Sequence, residues 1–156
     1  MSISHKLRAT LEKEGVEFNI LEHQPAYTAM EIAGAQHVPG RQVIKSVIVK
    51  ADGKFLMCVL PAIHLLDLDK LKKTLGSQKV ELAKEEDIAR LFPDDEVGGE
   101  PPFGNLYGVP VIVDKILEED NDIVFNAGSH TEMIQMKFFD YHRLVNPTVA
   151  EIGVHI

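Results

Sequence analysis

The sequence predicts a single α+β domain, residues 1–156, in which a mixed, strongly curved (barrel-like) β-sheet is flanked by helices. Three observations carry that expectation. Two apolar, β-branched-rich runs at 43–50 and 55–60 are separated by Ala51-Asp52-Gly53-Lys54, a turn of hairpin type. Strand-like and helix-like stretches mix without the regular alternation of a doubly wound sheet. No linker, internal repeat or low-complexity tract divides the 156 residues, and a chain of that length buries a real core as one domain.

The elements follow in order. Residues 4–14 form an amphipathic helix, because Leu7 and Leu11 stand four apart and Gly15 supplies a stop. Val16, Phe18 and Ile20 alternate with polar residues, as on a half-buried strand at 16–21. Thr28-Ala29-Met30-Glu31 is a capping-box pattern that opens a short helix to about His37, and Pro39-Gly40 ends it. After the hairpin, Asp67 caps a helix carrying Leu68, Leu71 and Leu75, closed by Gly76. A short strand at 80–83 precedes a short helix at 85–92 with acidic residues in its first turn, which Pro93 halts. Residues 94–108 are rich in glycine and proline turns. Strands are expected at 109–114, 123–127 and 131–136, then a helix near 139–145 broken by Asn146-Pro147.

Composition narrows the function classes. Apolar residues make up 45% of the chain and charged residues 26%, an ordinary balance for a globular domain. No apolar run approaches the roughly 20 residues that span a bilayer, and the N-terminus lacks the apolar block of a secretory signal. A cytoplasmic location without membrane partners is the default expectation. Cys58 is the one cysteine, and no Cys/His cluster has zinc-ligand spacing, so neither a disulfide nor a metal or other cofactor is expected. Cys58 alternates with Leu56 and Leu60, which reads as a buried small hydrophobe.

The formal net charge of −8 argues at first against a nucleic-acid partner, since phosphates are bound by Lys and Arg. The charge is unevenly placed, however. Residues 41–79 carry eight basic side chains against three acidic ones, whereas residues 81–122 carry 13 carboxylates against Lys84, Arg90 and Lys115. The basic segment is either a wall that steers an anionic substrate or a solvated surface.

Three segments are candidates for chemistry. Lys45 interrupts an apolar strand, and period-two alternation places it on one face with Val43, Val47 and Val49. An ammonium in such a row is either a rim lysine reaching outward or a cation held in a pocket for a phosphate or carbonyl. Gly98-Gly99-Glu100-Pro101-Pro102-Phe103-Gly104 combines glycines, which let backbone approach a ligand, with prolines that stiffen the loop. Such a loop is a plain turn, or a set of exposed N–H groups that binds an oxyanion. Phe125-Asn126-Ala127-Gly128-Ser129-His130 puts a hydroxyl and an imidazole at a strand end, yet adjacent side chains point apart, so Ser129 and His130 are no nucleophile pair. The other histidines show no metal-binding spacing.

Together these segments carry a resemblance. Lys45-Ser46 in its strand, Leu60-Pro61 ending the next, the 98–104 loop and Phe125-Asn126-Ala127-Gly128-Ser129-His130-Thr131-Glu132 resemble the YbaK/prolyl-tRNA-synthetase-associated domain family in order and spacing. The similarity runs from Thr28 at least to Val145, at the length of a free-standing member. It implies trans-editing, the hydrolysis of the ester between a mischarged amino acid and the 3′-terminal adenosine of tRNA. Family members remove alanine or cysteine from proline tRNA, or serine and threonine from other species. By position, Lys45 matches the family lysine that contacts the 3′-terminal nucleotide and supports catalysis. Gly98 and Pro102 match the ends of the loop that holds the aminoacyl group. Gly128 and His130 match the segment that closes the pocket.

The resemblance thus implies Lys45 and His130 as catalytic residues. Ser46, Gly98, Gly99, Pro102, Phe103, Gly104, Gly128 and Ser129 are the implied substrate-binding residues. The implied partner is the tRNA 3′ end, as aminoacyl-adenosine, with an aminoacyl-tRNA synthetase as a second. A non-catalytic module that binds aminoacyl-adenosine or a nucleotide and regulates such a partner is the rival reading.

Overall fold

The computed structural model describes residues 4–22 and 42–155. The expected helix opened by Thr28 lies outside the described residues. Helix α1 (His5–Lys13) begins where Ser4 caps it, the hydroxyl accepting the Leu7 amide. Leu7 and Leu11 are fully buried on its inner face. Burying two leucines contributes roughly 1.5–3 kcal/mol each, enough to hold a helix of little intrinsic stability. Strand β1 (Phe18–Glu22) follows.

Strands β2 (Ile44–Ala51) and β3 (Lys54–Pro61) form the expected hairpin, paired from Ala51↔Lys54 to Ile44↔Pro61. Their connection is tighter than the sequence suggested. Asp52 (φ 48°) and Gly53 (φ 84°) both take left-handed angles, which is the two-residue type I′ turn whose twist matches that of the strands. Beyond it come β4 (His64–Leu66) and helix α2 (Leu68–Leu75). Asp67 accepts the amides of Asp69 and Lys70 at the start of α2, and Gly76 (φ 66°) closes it. Strand β5 (Val80–Leu82) and helix α3 (Glu85–Leu91) complete this half.

The second half holds β6 (Val111–Asp114), β7 (Asp122–Asn126), β8 (Glu132–Lys137), helix α4 (Phe138–Val145), β9 (Thr148–Ala150) and β10 (Gly153–His155). Short 3₁₀ turns at Gly104–Tyr107 and Lys115–Glu119 stand between strands. Nothing local in the sequence marks the three-residue β4, β9 and β10, whose pairing partners lie far along the chain.

The strands make a five-stranded mixed sheet of order β5-β2-β3-β6-β9, a three-stranded sheet β1-β8-β7 and the ribbon β10-β4. Among the described residues the sheet is mixed, as expected, but does not close into a barrel. Closure would need a ladder between β7 and β2, and the two meet at a single parallel bridge, Val43↔Val124. The faces of the five-stranded sheet bury different cores. Ile44, Ile48, Met57, Val59, Val111 and Val113 join α1, Phe103, Phe125 and Tyr141 in the larger core. Val49, Ala51, Leu56, Cys58 and Ile112 on the other face pack against Leu71 of α2 and Ile152. Cys58 is fully buried there, and burial pushes its thiol pKa up to about 12, so it acts as a small hydrophobe.

Candidate active site

The turn-rich segment after α3 is anchored at both ends by the core. Phe92 stacks edge-on against Tyr107 at 5.0 Å, and Phe103 lies fully buried between Phe125 (5.8 Å) and Tyr141 (5.2 Å). The Tyr141 hydroxyl donates to the Pro102 carbonyl at 2.7 Å. Between these anchors, residues 96–99 lie alongside the end of β7. Gly128 donates to the Gly99 carbonyl (2.8 Å), and its own carbonyl accepts the Glu96 amide (2.9 Å).

Two glycines make this approach possible. A Cβ on Gly99 would stand 3.0 Å from the Ser129 carbonyl carbon, with backbone on both sides of the contact. Gly128 has φ 104°, and a Cβ there would lie 2.7 Å from Asp95 Oδ1. The loop is therefore sealed onto the strand end by backbone contacts that side chains would prevent.

His130 holds the loop from outside. Its Nε2 stands 2.8 Å from the Val97 carbonyl and 3.9 Å from Glu96 Oε2. A carbonyl only accepts, so Nε2 is the donor in this contact. Glu100, only 4% exposed, closes the loop from within by accepting the Gly98 amide at 2.8 Å. Burial raises the Glu100 pKa, and the hydrogen bonds from the Gly98 and Glu100 amides and the nearby His130 oppose that rise.

Several of the loop's amides already have partners within the protein. The Gly98 amide bonds Glu100, the Gly99 amide bonds the Glu96 carbonyl, the Phe103 amide bonds the Pro101 carbonyl, and Pro101 and Pro102 have no N–H. In this conformation the loop is a stiff wall rather than an open row of donors. Ser129 is likewise inward. It is fully buried, and its hydroxyl accepts the amides of Thr131 (3.4 Å) and Glu132 (3.2 Å), capping the turn into β8. Phe103 and Gly104 lie in the larger core, where a Cβ on Gly104 would meet the Val109 carbonyl at 2.7 Å.

Lys45 sits on β2 on the face of Val47 and Val49, as its alternation predicts, and Ser46 points with Ile44 and Ile48 to the other. Its amine donates to the His64 carbonyl at 2.6 Å and to no carbonyl of the 98–104 loop. No carboxylate among the described residues pairs with it, and partial burial lowers its pKa. Lys45 and the loop are related through β7. The bridge at Val124 uses the edge that Gly128, four residues on, presents to 96–99. Lys45 is two residues beyond Val43 and Asn126 two beyond Val124, so both leave the bridge on one face. The lysine strand thus bridges β7 at Val124, and Gly128, just beyond the end of β7, contacts residues 96 and 99.

Asp95 escaped the sequence reading. It is 8% exposed, beside Ser4 and Gly128, and neither carboxylate oxygen has a hydrogen-bond partner of ordinary geometry among the described residues. Burial pushes its pKa up to about 6; the nearby Tyr107 hydroxyl and Lys6 oppose this, while Glu100 and Asp94 reinforce it. Only its position in an acidic run was visible in the sequence, and burial of one member of such a run has no local signature.

Comparison with known proteins adds independent findings. The chain is 26% identical over 155 residues to the multifunctional Ser/Thr-tRNA deacylase ProXp-y of Escherichia coli K12, covering 96% of this chain and 92% of that protein. It is 31% identical over 107 residues to the proline–tRNA ligase of Staphylococcus saprophyticus, covering 69% of this chain and 19% of the ligase. A solved structure described as a candidate trans-editing enzyme for prolyl tRNA synthetase shares the fold, with a TM-score of 0.84 and 21% identity over 98% of this chain and 99% of that one. Residues 23–144, which hold Lys45, the 98–104 loop and the Gly128-Ser129-His130 turn, match the aminoacyl-tRNA editing domain, and the chain belongs to that family.

Proposed function

We propose that this protein hydrolyses, in trans, the ester joining a wrong amino acid to the 3′-terminal adenosine of a tRNA. The observation that carries the reading is the Lys45 ammonium, half-buried and without a carboxylate partner among the described residues, on the strand bridged to β7, whose far end leads into the Gly128 contact with Gly99 of the loop. A cation so placed is completed by an anion, and the terminal nucleotide brings a phosphate. Family membership and the near full-length similarity to a Ser/Thr-tRNA deacylase support the same chemistry.

In this reading Lys45 binds the phosphate of the terminal nucleotide and offsets charge as the reaction proceeds. The 98–102 wall, with Gly98 and Pro102 at its ends, receives the aminoacyl group, and Gly128 and His130 hold that wall in place. Gly99 lets the wall close on the strand, and Ser46, Phe103, Gly104 and Ser129 shape the frame behind it. Water attacks the ester carbonyl, the bond to the ribose oxygen breaks, and the proton from water passes to that oxygen. The products are a free amino acid and an uncharged tRNA. Nε2 of His130 is engaged with Val97, so its part is to position, and the neighbouring ribose hydroxyl serves to orient the water. The engaged loop amides are the one observation that favours the rival, a binding module without catalysis.

The test is a panel of Ala-, Cys-, Ser- and Thr-tRNA species incubated with the protein and with Lys45→Ala. Cleavage of at least one ester is expected, slowed by about 10²–10³ in the variant, the effect of losing one charge-stabilising group. Tight binding of the panel without cleavage would establish the binding module instead. A synthetase partner is tested by co-purification with prolyl-tRNA synthetase.

A further inference from the structure

Resting on the deacylase reading, we propose that the β4–β10 ribbon and the exposed edge of α2 form the track for the unpaired RNA strand leading to the terminal adenosine. Two lysines converge on this ribbon from different elements. Lys45 Nζ donates to the His64 carbonyl at 2.6 Å and Lys70 Nζ to the Gly153 carbonyl at 3.1 Å. The register pairs His64↔His155, Leu65↔Val154 and Leu66↔Gly153. The two carbonyls are therefore two residues apart along the ribbon and one strand apart across it, about 8 Å. That is a spacing at which one extended strand can lay successive phosphates against both amines.

Between the lysines the ribbon offers an apolar surface. Leu65 (54% exposed) and Val154 (37% exposed) are direct cross-strand partners and project on one face, while His64 and Leu66 turn inward. An uncovered apolar pair bracketed by cations is the composition of a single-strand platform, where the bases lie on apolar surface and the backbone runs along the charge. A double helix, with its bases stacked inside, has no use for the pair.

The track continues onto α2. Leu71 anchors this helix on the sheet face that also carries Lys45. Lys72 and Lys73 are exposed in its last turn, where the helix C-terminus favours cations and leaves them free of the core. A cavity of about 500 Å³ beside His64 and Lys70 marks the other bank, and Glu118, Glu119 and Glu151 line it together with Lys115. Those carboxylates repel a phosphate strand and confine it to the lysine side. The uneven charge of the sequence thus becomes a geometric boundary.

The test uses a short RNA hairpin ending in an unpaired 3′ CCA, its binding followed by fluorescence anisotropy at several salt concentrations. Each phosphate contact to a single strand contributes about 0.7 to the slope of log K against log salt. Replacing both Lys72→Ala and Lys73→Ala is expected to flatten that slope by about 1.4 and to weaken binding roughly 10- to 30-fold at about 0.1 M salt. Leu65→Asp is expected to weaken binding several-fold, and Lys84→Glu, away from the track, to stay within about twofold of wild type. Circular dichroism checks that each variant is folded.

Binding by the lysine and Leu65 variants indistinguishable from Lys84→Glu would overturn the proposal. In hydrolysis, the loss on mischarged tRNA is expected to exceed the loss on aminoacyl-adenosine at least tenfold; equal losses would also overturn it. Absence of hydrolysis by the wild type would remove the deacylase reading alone, since the binding arm needs no turnover.

Discussion

His130 Nε2 donates to the Val97 carbonyl across 2.8 Å, and this one bond ties the turn after β7 to the loop that precedes Gly98. The imidazole therefore acts on the site through backbone placement. A net hydrogen bond of this kind is worth about 1 kcal/mol, and a wall that shifts by a fraction of an ångström changes the fit of an ester more than it changes folding.

It follows that His130→Ala should raise KM and lower kcat/KM by roughly 5- to 20-fold, with little loss of stability, by the energy of about one hydrogen bond. His130→Gln, which keeps an N–H donor, should recover much of the loss. Steady-state kinetics on a mischarged tRNA separates this from general-base catalysis, in which glutamine restores nothing and kcat alone collapses.

Gly99 offers a sharper probe of the same wall. A methyl group there meets the Ser129 backbone at 3.0–3.2 Å, and backbone held by Ser129's own turn cap has nowhere to move. Gly99→Ala should cost about 1–3 kcal/mol of stability by overpacking and should separate the loop from Gly128. Gly53→Ala, whose Cβ meets nothing within 4 Å, strains φ without a clash and should leave deacylation near wild type. Chemical denaturation and turnover of both variants check the contrast; similar activity losses would show that the loop is not part of the site.

Much of this arrangement is written in local sequence. The hairpin, the capped α2 and the face of Lys45 all follow from periodicity and turn chemistry, which need only neighbours along the chain. The glycine and proline content of 98–104 likewise announces a stiff loop. What is not local is which of its groups face inward. Glu100 binds the Gly98 amide only because the loop curls over it, and Ser129 caps a turn that forms when β7 and β8 pair. The ribbon is beyond reach for the same reason, since β10 finds β4 across almost ninety residues of chain.

Asp95 gives the structure a pH signature of definite sign. Its pKa is pushed up to about 6 in the folded chain against an ordinary 3.8, because burial beside Ser4 and Gly128 disfavours the charge, and Glu100 and Asp94 add to that, while the Tyr107 hydroxyl and Lys6 oppose it. Between those two values the folded state binds more protons than the unfolded, so stability falls as pH rises through the window and levels off above about 6. The full contribution is on the order of 3 kcal/mol, present below the unfolded value and absent at neutral pH. Asp95→Asn removes the ionisation, though a buried amide brings its own hydrogen-bond demands. The variant should therefore melt higher than wild type at pH 8, by the equivalent of about 1–2 kcal/mol, and the advantage should vanish near pH 4. Thermal melts of both proteins across that range decide the matter: a difference that stays constant with pH would mean Asp95 is not the buried ionising group.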